Sequence, residues 1–300
     1  MPLGKHIAKN WRLYMFLVIP IIYYLVFRYI PMFGNVIAFR KYRAGGGIFG
    51  VEWSGFKYFR QFIRDQMFWR AFANTLRLNI IYLLFRFPLT LIFALLLNEI
   101  KNIHWKKFVQ TVSYLPHFIS VVVMSGMIIL FLSPSTGIIA KLVGLLGFTL
   151  PNLMGSASAF PHIYVWTEAW QHVGWDSILY IATLSSVDPS LYEAATMDGA
   201  NKWHKIVNID LPSLVPTATV MFILRMGSVM SVGFEKVYLL QNNLNSSSSE
   251  IISTYVYKMG LVSNQYSLSA AIGLFNNIIN LVLLIAVNLI AKKVSDTSLV

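Results

Sequence analysis

The chain contains no cysteine, which excludes disulfides, thiolate nucleophiles and cysteine-ligated metal sites and leaves the redox compartment undetermined. Charge is scarce too. Charged residues make up 12% of the 300 residues, against about a quarter in soluble domains. With 56% hydrophobic and 15% aromatic residues, the chain is excluded from the ordinary soluble class and reads as an all-α polytopic membrane protein. There is no G-x-x-x-x-G-K-[ST] phosphate loop: the glycine run Gly45-Gly46-Gly47 is followed by Ile48 where a lysine is required. Nor is there an H-E-x-x-H or nucleophile-elbow sequence. Acidic residues number 12 against 24 lysines and arginines, a net charge of +12. The basic residues sit at segment ends and in loops between apolar runs, the distribution of membrane anchors rather than of a nucleic-acid surface.

Apolar runs divide the chain. A basic start, residues 1–12 with Lys5, Lys9 and Arg12, precedes an apolar run that ends near Arg28, Tyr29 and Pro31. No small-x-small cleavage site follows it, so 13–30 reads as a retained first span rather than a signal peptide. Residues 31–73 form a soluble loop in which Phe56 to Trp69 has an amphipathic helical pattern, with Phe56, Phe59, Phe62, Ile63 and Met67 on one face. Residues 74–292 read as five further spans, about 74–98, 108–132 (kinked near Pro116), 160–184, 213–234 and 268–290, leaving a tail at 293–300. Ile138 to Phe148 is too short to cross a membrane.

Polar residues within spans are functional candidates, because an unpaired charge there costs at least about 2.5 kcal/mol on insertion scales. Arg86 must therefore face a partner helix or a wet cavity. The span at 160–184 carries Trp166, Glu168, Trp170, His172, Trp175 and Asp176, and the last span carries Asn276, Asn277 and Asn280. Flat aromatic rings paired with carboxylates and amides suit a sugar, with its apolar ring faces and hydroxyl edges. This makes Trp166, Glu168, Trp170, His172, Asp176, Asn276, Asn277 and Asn280 candidates for a cargo pathway; core packing, interfacial anchoring and interhelical hydrogen bonding are the plain alternative. His172 and Asp176, four apart, also admit an acid–base pair of an embedded enzyme. No nucleophile or ligand set accompanies them, and His104, His117 and His162 stand isolated in the sequence.

The most specific stretch is polar. Asp188 suits a helix cap, Pro189 the first helical position and Gly199 a left-handed C-terminal stop; Asn201 suits the cap of a second helix, which is expected to stop before Pro212. Glu193-Ala194-Ala195, Gly199 and Ile209-x-Leu211-Pro212 fall at the offsets of the EAA loop, and the chain resembles the permease subunits of bacterial binding-protein-dependent ABC importers. Val187-Asp188-Pro189-Ser190-Leu191-Tyr192 and Met197-Asp198-Gly199-Ala200 resemble the carbohydrate-uptake branch. Tyr238-Leu239-Leu240-Gln241-Asn242, Ile252-Ser253-Thr254-Tyr255-Val256-Tyr257 and Ala270-Ala271-Ile272-Gly273-Leu274-Phe275 resemble its LplB-type polysaccharide permeases.

The resemblance implies a type I ABC importer permease fold. It also implies alternating access, an ATPase-coupling loop at 186–212 that uses Glu193, Ala194, Ala195, Met197, Asp198, Gly199, Ile209, Leu211 and Pro212, and a bacterial cytoplasmic-membrane location. The implied partners are a second related permease, two cytoplasmic ATPase subunits that hold ATP and Mg, an extracellular or lipid-anchored solute-binding protein, a carbohydrate cargo and membrane lipids. No cofactor is expected on this chain, and no nucleic acid. A peptide, amino acid or polyamine is the alternative cargo. Charge bias leaves orientation open, with ten lysines and arginines on each side of the expected topology. A coupling loop must be cytoplasmic, and with four spans before it the N terminus is then cytoplasmic as well.

Overall fold

The computed structural model describes residues 9–43, 45–47, 49–231 and 233–295, so Lys5, Ile48 and the end of the tail, 296–300, lie outside the described residues. The fold is all-α; the two strands described have two residues each. Among the described residues, four helical segments are long and apolar enough to cross a membrane: Trp11–Phe39, Gln66–Asn98, Lys202–Met226 and Tyr266–Lys292. A bent pair, Ile103–Phe118 and Val121–Phe131, adds a fifth if it is one span. The expected span at 160–184 is a helix of 26 residues, Phe160–Ser185, about 39 Å long at ~1.5 Å per residue. It has the length to cross, but its polar residues make it less apolar than the four segments above.

The chain divides into two compact units, the first made of residues up to Asp65 with Val256–Phe275. Here helix α1 (Trp11–Tyr24) does not end near Pro31 as expected. A π-helical turn, Leu25–Tyr29, precedes the proline, and helical structure continues to Phe39. The wider i→i+5 turn absorbs the missing proline N–H, so the chain need not break. Strands β1 (Arg40–Lys41) and β2 (Glu52–Trp53) pair antiparallel, Arg40 opposite Trp53. Helix α2 is only Lys57–Ile63, half the expected amphipathic segment, and buries Phe62, while Phe56 and Ile63 are exposed. Its aromatic packing reaches both neighbours in sequence and the last helix: Phe39 lies 6.0 Å from Trp53 and 5.2 Å from Phe59, and Phe62 lies 5.4 Å from Phe275, centroid to centroid. Ser267 Oγ accepts from Tyr42 N–H (3.0 Å) and donates to Arg40 C=O (2.7 Å), which ties β1 to the start of the last helix.

The second unit, Gln66–Tyr255 with the chain from Asn276 onward, is built on helix α3 (Gln66–Asn98), which packs along helix α7 (Phe160–Ser185). One apolar core joins Leu78, Met124, Phe160, Tyr164, Val237 and Ile251; a second joins Ala94, Leu97, Tyr180, Leu184 and Leu214. The expected kink near Pro116 is a sharp break. Helix α4 (Ile103–Tyr114) tightens into a 3₁₀ turn, Leu115–Phe118, and α5 (Val121–Phe131) restarts at 99° to it, with Ser120 Oγ accepting from Val123 N–H at 3.3 Å. Short helix α6 (Ile138–Leu145) occupies the following loop. Gly174 is obligatory where α7 crosses α4, because a Cβ there would lie 2.2 Å from the Ser113 carbonyl oxygen.

Two short helices follow, α8 (Pro189–Met197) and α9 (Lys202–Lys205). The second does not stop before Pro212. A π turn, Ile206–Asp210, carries it into α10 (Leu211–Met226), the same device that precedes Pro31. Helices α11 (Phe234–Leu240), α12 (Ser246–Ser249) and α13 (Ile252–Tyr257) fold the chain between the last two expected spans inward, and α14 (Tyr266–Ser295) follows. Asn74 Nδ2 donates to Ser247 C=O (3.0 Å) and Glu250 C=O (2.9 Å), fixing that segment to the first turns of α3.

Candidate functional site

On α7, Glu168, His172 and Asp176 are spaced at i, i+4 and i+8 and form one stripe, while Trp166 and Trp170 are rotated from Glu168 by about 200° at ~100° per residue. The structure separates the two sets accordingly. The three polar residues line a cavity of about 420 Å³ together with Arg86, His117, Trp175 and Arg225. The two tryptophans are exposed and line apolar grooves on other faces of the helix, Trp166 against Phe85 at 5.5 Å. Trp166 and Trp170 therefore do not share a cavity with the carboxylates; the aromatic side chains that line it with them are Trp175, Tyr82 and Tyr164.

Charge pairs organise the cavity. Asp176 Oδ2 is shared by the buried Arg86, in direct contact, and by Arg225 Nη2 at 3.3 Å. Arg86 also lies over the Tyr82 ring, 4.8 Å from its centroid, so its cost in a span is met by a carboxylate and an aromatic face. Lys236 is 2% exposed on α11, where it donates to Glu168 Oε1 at 2.8 Å and Gln171 Oε1 at 3.2 Å. Gln171 Nε2 in turn donates to the Ile119 carbonyl at 3.1 Å, satisfying the backbone exposed by the α4–α5 break.

That break brings in a residue the sequence left isolated. His117 Nδ1 lies 3.0 Å from His172 Nδ1, so one of the two carries the bridging proton, and the His117 ring stacks parallel on Trp175 at 4.4 Å. His172 approaches Glu168 Oε2 at 3.7 Å, and no hydrogen bond or ion pair joins it to Asp176 among the described residues, so the geometry gives the alternative acid–base pairing no support. The asparagines of α14 lie outside the cavity lining. Asn280 Oδ1 accepts from Met230 N–H at 3.0 Å and so braces residues 228–231, of which Ser228, Val229 and Ser231 line the cavity. Asn277 is exposed, and the buried Asn276 Oδ1 has no hydrogen-bond partner among the described residues.

The polar loop forms a second site. Asp188 caps α8 by accepting from Ser190 N–H at 2.9 Å, and that hydrogen bond holds its carboxyl below the usual aspartate range. Gly199 has φ +76°, and Ala200 N–H reaches back to Ala195 C=O at 2.9 Å to end the helix. Helix α8 buries no residue: Glu193, Ala194 and Asp198 are exposed and Met197 is 88% exposed, an open face for a partner. Ile209 is half-buried, and Leu211 and Pro212 begin α10. Tyr192 joins the two parts, its hydroxyl donating to the buried Asp210 Oδ1 at 2.5 Å and contacting Asn98.

A bundle of spanning helices with a charged cavity along its two longest-packed members, and an exposed two-helix loop at the end of those members, defines a transport subunit. The family described as "Binding-protein-dependent transport system inner membrane component" matches residues 79–296. Protein LplB of Bacillus subtilis (strain 168) is 41% identical over 293 residues, covering 98% of this chain and 92% of that protein. The polygalacturonan/rhamnogalacturonan transport system permease protein YteP of the same organism is 39% identical over 284 residues, covering 95% and 88%. The fold is similar to a chain in the crystal structure of a bacterial ABC transporter involved in the import of the acidic polysaccharide alginate, with TM-score 0.91, 37% identity and coverage of 98% of this chain and 100% of that one. The chain belongs to this family: it is a multi-pass inner-membrane permease subunit of a bacterial binding-protein-dependent ABC importer, and not an enzyme.

Proposed function

We propose that this chain forms half of the translocation pathway for an oligosaccharide or polysaccharide fragment, working by alternating access and driven by separate ATPase subunits that dock on α8. The observation that carries this reading is the placement of both sites on one pair of helices. Glu168, His172 and Asp176 face the cavity from α7, Arg86 faces it from α3, and α8 follows α7 directly while Tyr192 contacts Asn98 at the end of α3. A force applied to α8 therefore reaches both cavity walls through rigid helices.

In this scheme Ala194 and Ala195 allow close approach to the ATPase, Glu193 and Asp198 offer charge, Met197 fills an apolar pocket, and Gly199 permits the turn. Ile209, Leu211 and Pro212 seat the loop on α10. A second related permease completes the pathway, a solute-binding protein delivers the cargo, and the ATPases hold ATP and Mg. The carbohydrate cargo is supported by the polygalacturonan/rhamnogalacturonan relative and by a related structure in which the transporter is complexed with an alginate pentasaccharide-bound periplasmic protein.

The test is detergent co-purification of the ATPase with wild type, Glu193→Lys and Gly199→Trp, beside oligosaccharide uptake by the reconstituted importer. Wild type should retain the ATPase and transport; both variants should insert but lose the ATPase. Retention of the ATPase by both variants would reduce the loop to a connector.

A further inference from the structure

The cavity charges do not balance. Arg86, Arg225 and Lys236 face only two carboxylates, Glu168 and Asp176; Glu168 is taken by Lys236 at 2.8 Å, and Asp176 is divided between both arginines. The three fixed cations exceed the two carboxylates by one in a site walled by spanning helices, where an uncompensated charge is costly. The surplus resides on Arg225. Arg86 and Lys236 are enclosed, with side chains 8% and 3% exposed, whereas Arg225 is 40% exposed and holds Asp176 only at 3.3 Å. Its guanidinium has donors to spare in the planar fork that matches a carboxylate.

We propose that Arg225 is a recognition site for a carboxylate on the cargo, so that the sugar this cavity accepts is a uronate. This deepens, and rests on, the reading of the cavity as a carbohydrate pathway. The neighbouring groups suit the rest of such a ligand. Trp175, stacked on His117, lines the cavity together with Ser228 and Ser231, an aromatic ring and two hydroxyl oxygens that can accept from sugar hydroxyls. A bound carboxylate would equalise cations and anions, so the protein favours an acidic sugar over a neutral one of the same shape.

The test uses the purified assembly of permeases and ATPases without binding protein, so that only the membrane site is read. Calorimetric binding of trigalacturonate and of its carboxyl-reduced counterpart is compared for wild type, Arg225→Gln and Arg225→Lys. Wild type should bind the uronate about ten- to a hundredfold more tightly, the size of one charge-assisted hydrogen bond. Arg225→Gln should abolish that preference with the reduced sugar unaffected, and Arg225→Lys should keep part of it. Equal binding of both sugars by wild type, or a preference that survives Arg225→Gln, would overturn the proposal. Loss of both sugars in Arg225→Gln would also overturn it, by showing a merely structural residue. Failure of wild type to bind either sugar would instead remove the cavity from the carbohydrate pathway, a separate result from the uptake measured on the complete importer.

Discussion

At the scale of single residues, the cavity is held by groups that are expensive to leave alone. Lys236 and Glu168 form a nearly enclosed pair, with side chains 3% and 14% exposed, and removing one partner strands the other as a buried charge. Lys236→Met should therefore lower stability by about 3–5 kcal/mol, while the double variant Lys236→Met/Glu168→Gln recovers most of the loss. Thermal unfolding of the detergent-purified chain measures this, and equal destabilisation of single and double variants would show that packing, not charge pairing, sets the cost. Half of this network was legible beforehand. Glu168, His172 and Asp176 are spaced so that one helix face must carry all three, and the cost of Arg86 in a span demanded a partner. The same 3.6-residue period, applied to Trp166 and Trp170, also excludes them from that face. Lys236, Arg225 and His117 were not legible as members: they come from other elements, and two of them depend on the break at Ile119 and on the inward fold of α11, both tertiary events.

At the scale of elements, local chemistry was readable where a side chain acts on its own backbone. Asp188, Asn201 and Gly199 do what their residue types imply: two caps and one left-handed stop. Pro31 and Pro212 do not stop their helices, because a π turn in front of each removes the need for the proline N–H, and no short sequence pattern announces such a turn. The second π turn also buries Asp210, where it receives the Tyr192 hydroxyl at 2.5 Å and so pins α8 to the start of α10. Burial, with the Asp210 carboxylate next, raises the affinity of Tyr192 for its proton, so this donor stays intact up to and beyond the ordinary tyrosine value of about 10. Tyr192→Phe removes the pin while keeping the ring. ATPase should still co-purify, while sugar transported per ATP hydrolysed falls several-fold in proteoliposomes. Unchanged coupling would mean that the covalent connection from α7 to α8 suffices.

At the scale of the whole molecule, hydropathy located the long helices well and misjudged their ends, because span ends depend on turns and not on apolarity. It also cannot say which side of the membrane a loop faces, and here basic residues are evenly divided. Geometry within one unit supplies the missing relation. Asn74, near the start of α3, bonds the backbone of Ser247 and Glu250, whereas Tyr192 contacts Asn98 and Lys202 lies 3.6 Å from Glu99 at the other end. From Asn74 to Asn98 the helix rises roughly 36 Å at ~1.5 Å per residue, more than the ~30 Å hydrocarbon core. A crossing by α3 puts Ser247 and the α8–α9 loop on opposite sides of the bilayer, which is the expected outcome. If ATPases dock on α8, Ser247 is extracytoplasmic and so is the wall of the cavity nearest the start of α3. The absence of cysteine makes this directly measurable, since any introduced thiol is the only one in the chain. Both Ser247 and His204 are exposed. Ser247→Cys should react with a membrane-impermeant maleimide in intact cells, and His204→Cys only after permeabilisation. The reverse pattern would place the docking loop outside and remove the ATPase as its partner. Labelling of both from one side would mean that α3 does not cross the membrane between Asn74 and Asn98, contrary to its length.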